Sequence, residues 1–282
     1  MSEPVFLSHQ RILRLSGSDR KTFLQGLMTN DIQLLSSTSA VYSLMLTPQG
    51  KFLYDFFLYE YKDYLFIDIH QDQVDSFKKR LNLYKLRADV SIEDISVDYA
   101  VFSSLNLIDP QKNYPHCMIY QDPRLKDLGY RWIVKRQSIE VNFCLIPKDE
   151  AYDFFCMTLG IPKGYKDMIP DRSIPLESGV QDLNAISWTK GCYIGQELMA
   201  RTRYRGEIRK RLFPVELTVG NFKTLAPIVS ETGDKVGDLY SFQKNQGIAR
   251  LKIDVIQKPL FLEGALLKVH QPNWMNLVIE TS

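Results

Sequence analysis

The sequence predicts an α+β fold, on three observations. Up to about residue 205, strand-like and helix-like segments follow one another without the regular alternation of a doubly wound sheet. Hydrophobic residues make up 45% of the 282, enough for a large core and for more than one domain. From about Leu212 the pattern changes to short strands with turns at Thr232-Gly233-Asp234 and Glu263-Gly264, the signature of a small separate β-barrel. Residues 1–205 are therefore read as one α+β region of two interleaved lobes, and residues 206–282 as the barrel.

The elements follow in order. Ser18-Asp19 offers an N-cap and a first-turn acid for a helix running to about Leu27, whose apolar face is Phe23, Leu24, Leu27 and Met28. Ala40–Leu46 is a strand, Thr47-Pro48-Gln49-Gly50 a turn with Pro second and Gly fourth, and Phe52–Tyr61 the return strand. Lys62-Asp63 turns the chain into a third strand, Tyr64–Ile69. On the return strand, alternation puts Asp55 on a face with Leu53, Phe57 and Tyr59, where an acid needs a reason. A helix over 72–84 presents Val74, Phe77, Leu81 and Tyr84 on one side. Strands at 90–92, 97–103 and 130–135 come next, then a helix from Asp149 to Leu159 stopped by Gly160 and Pro162.

Composition narrows the class. No apolar run approaches the roughly 18–20 residues that cross a bilayer, and Met1-Ser2-Glu3-Pro4 opens neither a signal peptide nor an Arg-rich transit segment. A cytoplasmic protein with no membrane partner is expected. Cys117, Cys144, Cys156 and Cys192 form no C-x-x-C, and His9, His70, His116 and His270 are scattered. Neither a disulfide framework nor a metal centre is expected from that spacing.

The chemistry concentrates in residues 187–211. Gly191 and Gly195 bracket Cys192-Tyr193-Ile194, which suits a tight loop delivering into a helix from about Gln196. A thiol just ahead of a helix N-terminus, with Lys190 and Arg201 or Arg203 nearby, is favoured as thiolate; a small buried hydrophobe is the plain alternative. The chain carries 35 Lys/Arg and 33 Asp/Glu; between 190 and 211 the counts are seven and two, leaving 28 against 31 elsewhere. Such a basic run suits phosphates or the carboxylates of a small anion, or is simply a solvated face. Tyr204 is its only stacking aromatic beyond the cysteine loop, which weighs against nucleic acid.

Lys190-Gly191-Cys192-Tyr193-Ile194-Gly195-Gln196-Glu197 resembles the K-G-C-[FY]-x-G-Q-E signature of the YgfZ folate-binding family. Pro175-Leu176-Glu177-Ser178-Gly179 resembles the R-L-E-A-G motif of T-protein aminomethyltransferases of the glycine cleavage system. Phe23-Leu24-Gln25-Gly26, Thr29-Asn30-Asp31 and Tyr42-Ser43-Leu44-Met45-Leu46 fit the same superfamily, so the matches run in order from about residue 15 to 212.

The resemblance implies a T-protein-like, three-lobed arrangement around a central cavity for tetrahydrofolate or a derivative. It places Glu177 where a carboxylate accepts the two adjacent N–H donors of the pterin edge. Tyr42, Phe57 and Tyr59 are candidate walls for the flat rings, with core packing an equal alternative. Lys190, Arg209, Lys210 and Arg211 are the candidate cations for the folate carboxylates. Gly50-Lys51-Phe52-Leu53-Tyr54-Asp55 keeps only one acid of the T-protein G-x-I-x-D-D pair, which disfavours aminomethyl transfer while leaving Asp55 a catalytic or folate contact, with a solvent-facing or salt-bridged strand residue as the alternative. The implied function is support of iron–sulfur cluster assembly or repair in client enzymes, with Cys192 as the functional thiol and clients or assembly factors as partners. A folate-dependent aminomethyltransferase and an RNA-binding module built on residues 190–211 are the alternatives.

Overall fold

A computed structural model describes residues 4–107, 117–139 and 146–277; His116 and Cys144 lie outside the described residues. The first lobe is a five-stranded antiparallel sheet built from β2 (Gln10–Ser16), β3 (Val41–Leu46), β4 (Phe52–Tyr61), β5 (Tyr64–His70) and β6 (Ser91–Asp94), in the order β3-β4-β5-β2-β6. One face packs on α1 (Arg20–Gln25) and α2 (Val74–Lys85) through Leu24, Phe56, Phe77 and Leu81. The second lobe is a four-stranded antiparallel sheet in the order β1-β7-β9-β8, from β1 (Val5–Phe6), β7 (Tyr99–Ser104), β8 (Met118–Gln121) and β9 (Tyr130–Lys135). One apolar cluster joins the other face of the first sheet to the second lobe and to α3 (Asp149–Thr158), with Trp188 and Trp274 packed against it.

The tail is a closed barrel of six strands: β10 (Lys210–Leu217), β11 (Pro227–Ser230), β12 (Lys235–Gln243), β13 (Gln246–Lys252), β14 (Leu260–Leu262) and β15 (Ala265–Val269). Closure removes every free strand edge, and Phe213, Val215, Ile228, Ala249, Leu251 and Leu260 fill its interior. Met157 of α3 packs on Leu212 and Ile248, fixing the barrel against the rest of the chain.

Local sequence signals are met to different degrees. The Thr47–Gly50 turn closes with the Gly50 N–H donating to the Thr47 carbonyl at 2.9 Å. α3 ends in a Schellman motif, with Ile161 N bonded to Cys156 O and Gly160 N to Met157 O, each at 2.9 Å. α1 is shorter than expected, and no side chain caps it. Asp19 instead accepts from the backbone of Asp89, and the Ser18 hydroxyl donates to the Asp89 side chain. Leu53 departs from the expected alternation. A bulge shifts the β3–β4 register between Met45 and Leu46, so Phe52 joins the face of Phe57 and Tyr59 while Leu53 turns to the α2 side.

Candidate functional site

Two places gather the chemistry. The first is the loop ahead of α5 (Gln196–Arg205), the helix that follows the short α4 (Gly164–Asp167). Gly195 caps that helix with φ of +85°, and a Cβ there would lie 2.5 Å from the Thr47 carbonyl, so only glycine lets the loop close on the β3–β4 turn. Three residues earlier stands Cys192, solvent-exposed. The loop is tied to residues 25–30: Ser187 N–H donates to Thr29 O at 3.0 Å and Ile194 N–H to Gly26 O at 3.1 Å. The Lys190 ammonium donates to the carbonyls of Gln25, Met28 and Asn30 at 2.6, 2.7 and 2.8 Å. Burial pushes the Lys190 ammonium down to about 8, against the pull of Asp31.

The second is a crevice of about 50 Å³ between β4, β5 and α3, a few waters' worth of space. Asp55 lies in its wall, accepting from the Tyr42 hydroxyl at 3.0 Å. A Cβ on Gly164 would meet Asp55 Oδ1 at 1.8 Å, so glycine there lets the main chain approach the carboxyl. Burial pushes the Asp55 carboxyl up; the Tyr42 hydroxyl and the Arg124 guanidinium oppose it. Arg124 forks onto Asp122 at 3.0 and 2.7 Å, and Arg131 pairs with Asp68. Both arginines donate to the Tyr152 hydroxyl, at 2.8 and 3.3 Å. Their guanidiniums stand over the Phe57 ring, with Arg131 at 3.9 Å and Arg124 at 4.9 Å from its centroid. On the far wall His70 stacks on Tyr165 at 3.6 Å. Its Nδ1 accepts from Asp72 N–H, and burial lowers its pKa to about 4, so the ring is neutral with the proton on Nε2.

Apart from Phe57, the other residues singled out from sequence lie away from that crevice or inside the core. Tyr42 and Tyr59 are buried at 1% and 0% exposure, and Tyr59 accepts from Arg131 at 3.1 Å, so neither ring offers an open face. Phe57 lines the crevice with its face already under two arginines. Glu177 does not reach Asp55; its carboxylate accepts from Arg250 of β13 at 2.7 and 2.8 Å. Arg211 is buried on Asp182, while exposed Arg209 pairs with Glu207 at 2.8 Å. The basic run is thus divided: Lys190 and Arg211 point inward, exposed Arg201 and Arg209 pair with acids, and exposed Arg203 stands over the Trp188 ring at 4.1 Å. Sequence reasoning missed Asp68, His70, Arg124, Arg131, Tyr152 and Tyr165. Only the Asp122-Pro123-Arg124 spacing carried a signal; the rest is assembled by the packing of the two sheets and the helices that carry Tyr152 and Tyr165.

The fold is that of the aminomethyltransferases with a closed C-terminal barrel. Glycine cleavage system aminomethyltransferase T from Bartonella henselae superposes with a TM-score of 0.75 over 96% of this chain and 85% of that one, at 13% identity. Residues 209–277 match the family model of the CAF17 C-terminal beta-barrel domain. Across nearly the whole length the chain is 31% identical to the mitochondrial iron–sulfur cluster assembly factor IBA57 of Mus musculus, covering 95% of this chain and 84% of the relative. The human protein of the same name gives 32%, with the same coverage. The chain belongs to the IBA57 family. That places it beside the YgfZ type rather than in it. The relatives' mitochondrial designation also overturns the cytoplasmic location expected from the N-terminal residues. Among the described residues no helix is long and apolar enough to cross a membrane.

Proposed function

We propose that this chain supports assembly or repair of iron–sulfur clusters in client enzymes, with Cys192 as its working thiol and tetrahydrofolate or a derivative as its ligand. The observation that carries the reading is the placement of Cys192: exposed, three residues ahead of the Gly195 cap of α5, on a loop held at both ends, in a chain whose relatives are named iron–sulfur cluster assembly factors. Client enzymes or assembly factors are the partners this implies.

The Asp55 crevice has the composition a pterin needs. It offers a carboxylate acceptor, cationic donors in Arg124 and Lys163, and aromatic walls in Tyr152 and Tyr165. Its present volume holds only waters, so the ring system requires a wider crevice than this one. Bound folate would supply one-carbon chemistry; the chain's own residues bind and orient it. A single acid at Asp55 and its hydroxyl partner Tyr42 favour a binding role over aminomethyl transfer. The inward-turned cations likewise disfavour the RNA reading.

Calorimetry with tetrahydrofolate tests the ligand. Restoration of iron–sulfur enzyme activity by wild type and by Cys192→Ser, in cells lacking the protein, tests the thiol. No heat of binding removes folate from the proposal, and full restoration by the serine variant removes Cys192.

A further inference from the structure

Lys190 sits inside the strongest sequence motif, yet it faces neither solvent nor the crevice. Its exposure is 7%, and all three ammonium protons are taken by the Gln25, Met28 and Asn30 carbonyls. An ammonium has three donors and no acceptor, so three convergent carbonyls saturate it. Those carbonyls belong to the end of α1 and the turn that follows, where helical geometry leaves C=O groups without partners and favours a cation.

The receiving segment is fixed independently of the loop. Gln25 donates to Asp31 at 2.9 Å and accepts from Ile32 N–H at 2.9 Å, while Asn30 donates to Tyr42 O and Asn184 O at 2.9 and 2.7 Å. Cys192 lies between two anchors of the loop, Lys190 on one side and, on the other, Tyr193, 7% exposed in the core, with Ile194 bonded to Gly26 O. Gly191 meets nothing within 4 Å of where a Cβ would stand, so on the Lys190 side no packing at that residue adds to the ammonium's bonds.

We infer that Lys190 is a positioning residue, whose ammonium locks the Cys192 loop onto the carbonyls of residues 25–30 and so sets where the thiol stands. The inference rests on the reading of Cys192 as the working thiol. It also gives a physical reason for the two motifs to occur in one chain: Phe23–Asp31 is the receptor for Lys190–Gln196.

The test uses the full chain and Lys190→Met, which keeps length and apolar bulk but loses all three donors. Amide hydrogen exchange at Ser187 and Ile194 should accelerate about tenfold or more, as expected when charge-assisted bonds that close a local opening are lost, with the β13 amides unchanged. Client-enzyme activity in cells should fall as it does for Cys192→Ser, and Lys190→Arg, which retains several donors, should recover part of both. Unchanged exchange at Ser187 and Ile194 overturns the lock. Faster exchange with full client activity, alongside a dead Cys192→Ser, overturns the positioning role while sparing the thiol. A fully active Cys192→Ser overturns the underlying reading instead, leaving only the exchange effect. Should Lys190→Met fail to fold, the wild-type protein decides: one lock requires Ser187 and Ile194 amides to open together, with protection within about threefold, and independent opening refutes it.

Discussion

Arg211, the second residue of the first barrel strand, is bonded to Asp182, and the two side chains are only 4% and 5% exposed. Asp182 also accepts from the backbone and side chain of Asn276, both at 3.3 Å, while Arg211 donates to Asn276 O at 3.2 Å. The pair therefore ties both ends of the barrel to the segment following Glu177.

Breaking one side of this pair leaves a buried charge alone. Asp182→Ala should destabilise the fold by about 3–5 kcal/mol. Asp182→Leu combined with Arg211→Met should lose much less, because neither charge is then stranded. Denaturant midpoints across the double-mutant cycle check this; equal losses in single and double variants would place both residues in simple packing roles.

The carboxylates of Asp55 and Glu177 should behave differently toward tetrahydrofolate. Asp55→Asn should weaken binding about tenfold, the loss of a charge-assisted hydrogen bond. Glu177→Gln should leave affinity within about twofold and lower stability by up to about 1 kcal/mol, since its partly exposed partner is Arg250. The reverse pattern in calorimetry would put the pterin edge at Glu177, as the T-protein motif implies.

Asp167 gives a pH signature. It is 2% exposed and accepts from Ser241 of β12 and from the Lys163 amide at 2.8 Å. Burial pushes its carboxyl up to about 6 from 3.8, the Ser241 bond opposing. The native state then binds a proton more tightly than the unfolded chain. Stability from this group falls as pH rises from about 4 to about 6, and the loss is complete above that. The shift corresponds to roughly 2–3 kcal/mol. Asp167→Asn should therefore stabilise the protein at pH 7.5 and give no gain at pH 4, because the amide and the Ser241 hydroxyl can still exchange a hydrogen bond. A variant equally destabilised at both values would show that the carboxylate is the preferred form.

Residues 187–197 display their loop-to-helix character in two glycines and a following amphipathic run, and the barrel its turns. The hairpin of β3 and β4 was legible from Pro48 and Gly50. Leu53 was not, because a bulge reverses alternation without a distinctive residue to mark it. Site partners were the least legible. Glu177 meets Arg250 across 73 positions and Lys190 meets Asn30 across 160, so both read from sequence as free charges when each is already bonded. Burial, which decides whether a charge is a site or a strut, is a property of the assembled lobes.

The final prediction concerns the thiols. Cys156 is buried on α3 and burial pushes its thiol up, the Arg124 guanidinium and Lys163 opposing. Burial also raises half-buried Cys117. Both are thus short of thiolate and of access, the two requirements for alkylation. Cys192 is exposed, so access does not limit it. Iodoacetamide at neutral pH should therefore modify Cys192 first, then Cys117, with Cys156 reacting only on unfolding; peptide mass mapping over time reads the order. The same reagent separates two roles. Alkylation confined to Cys192 should leave tetrahydrofolate binding and the unfolding midpoint unchanged, since the thiol touches neither the crevice nor a core, yet client-enzyme activation should be lost. Alkylated protein that still activates client enzymes would make Cys192 a bystander on its loop.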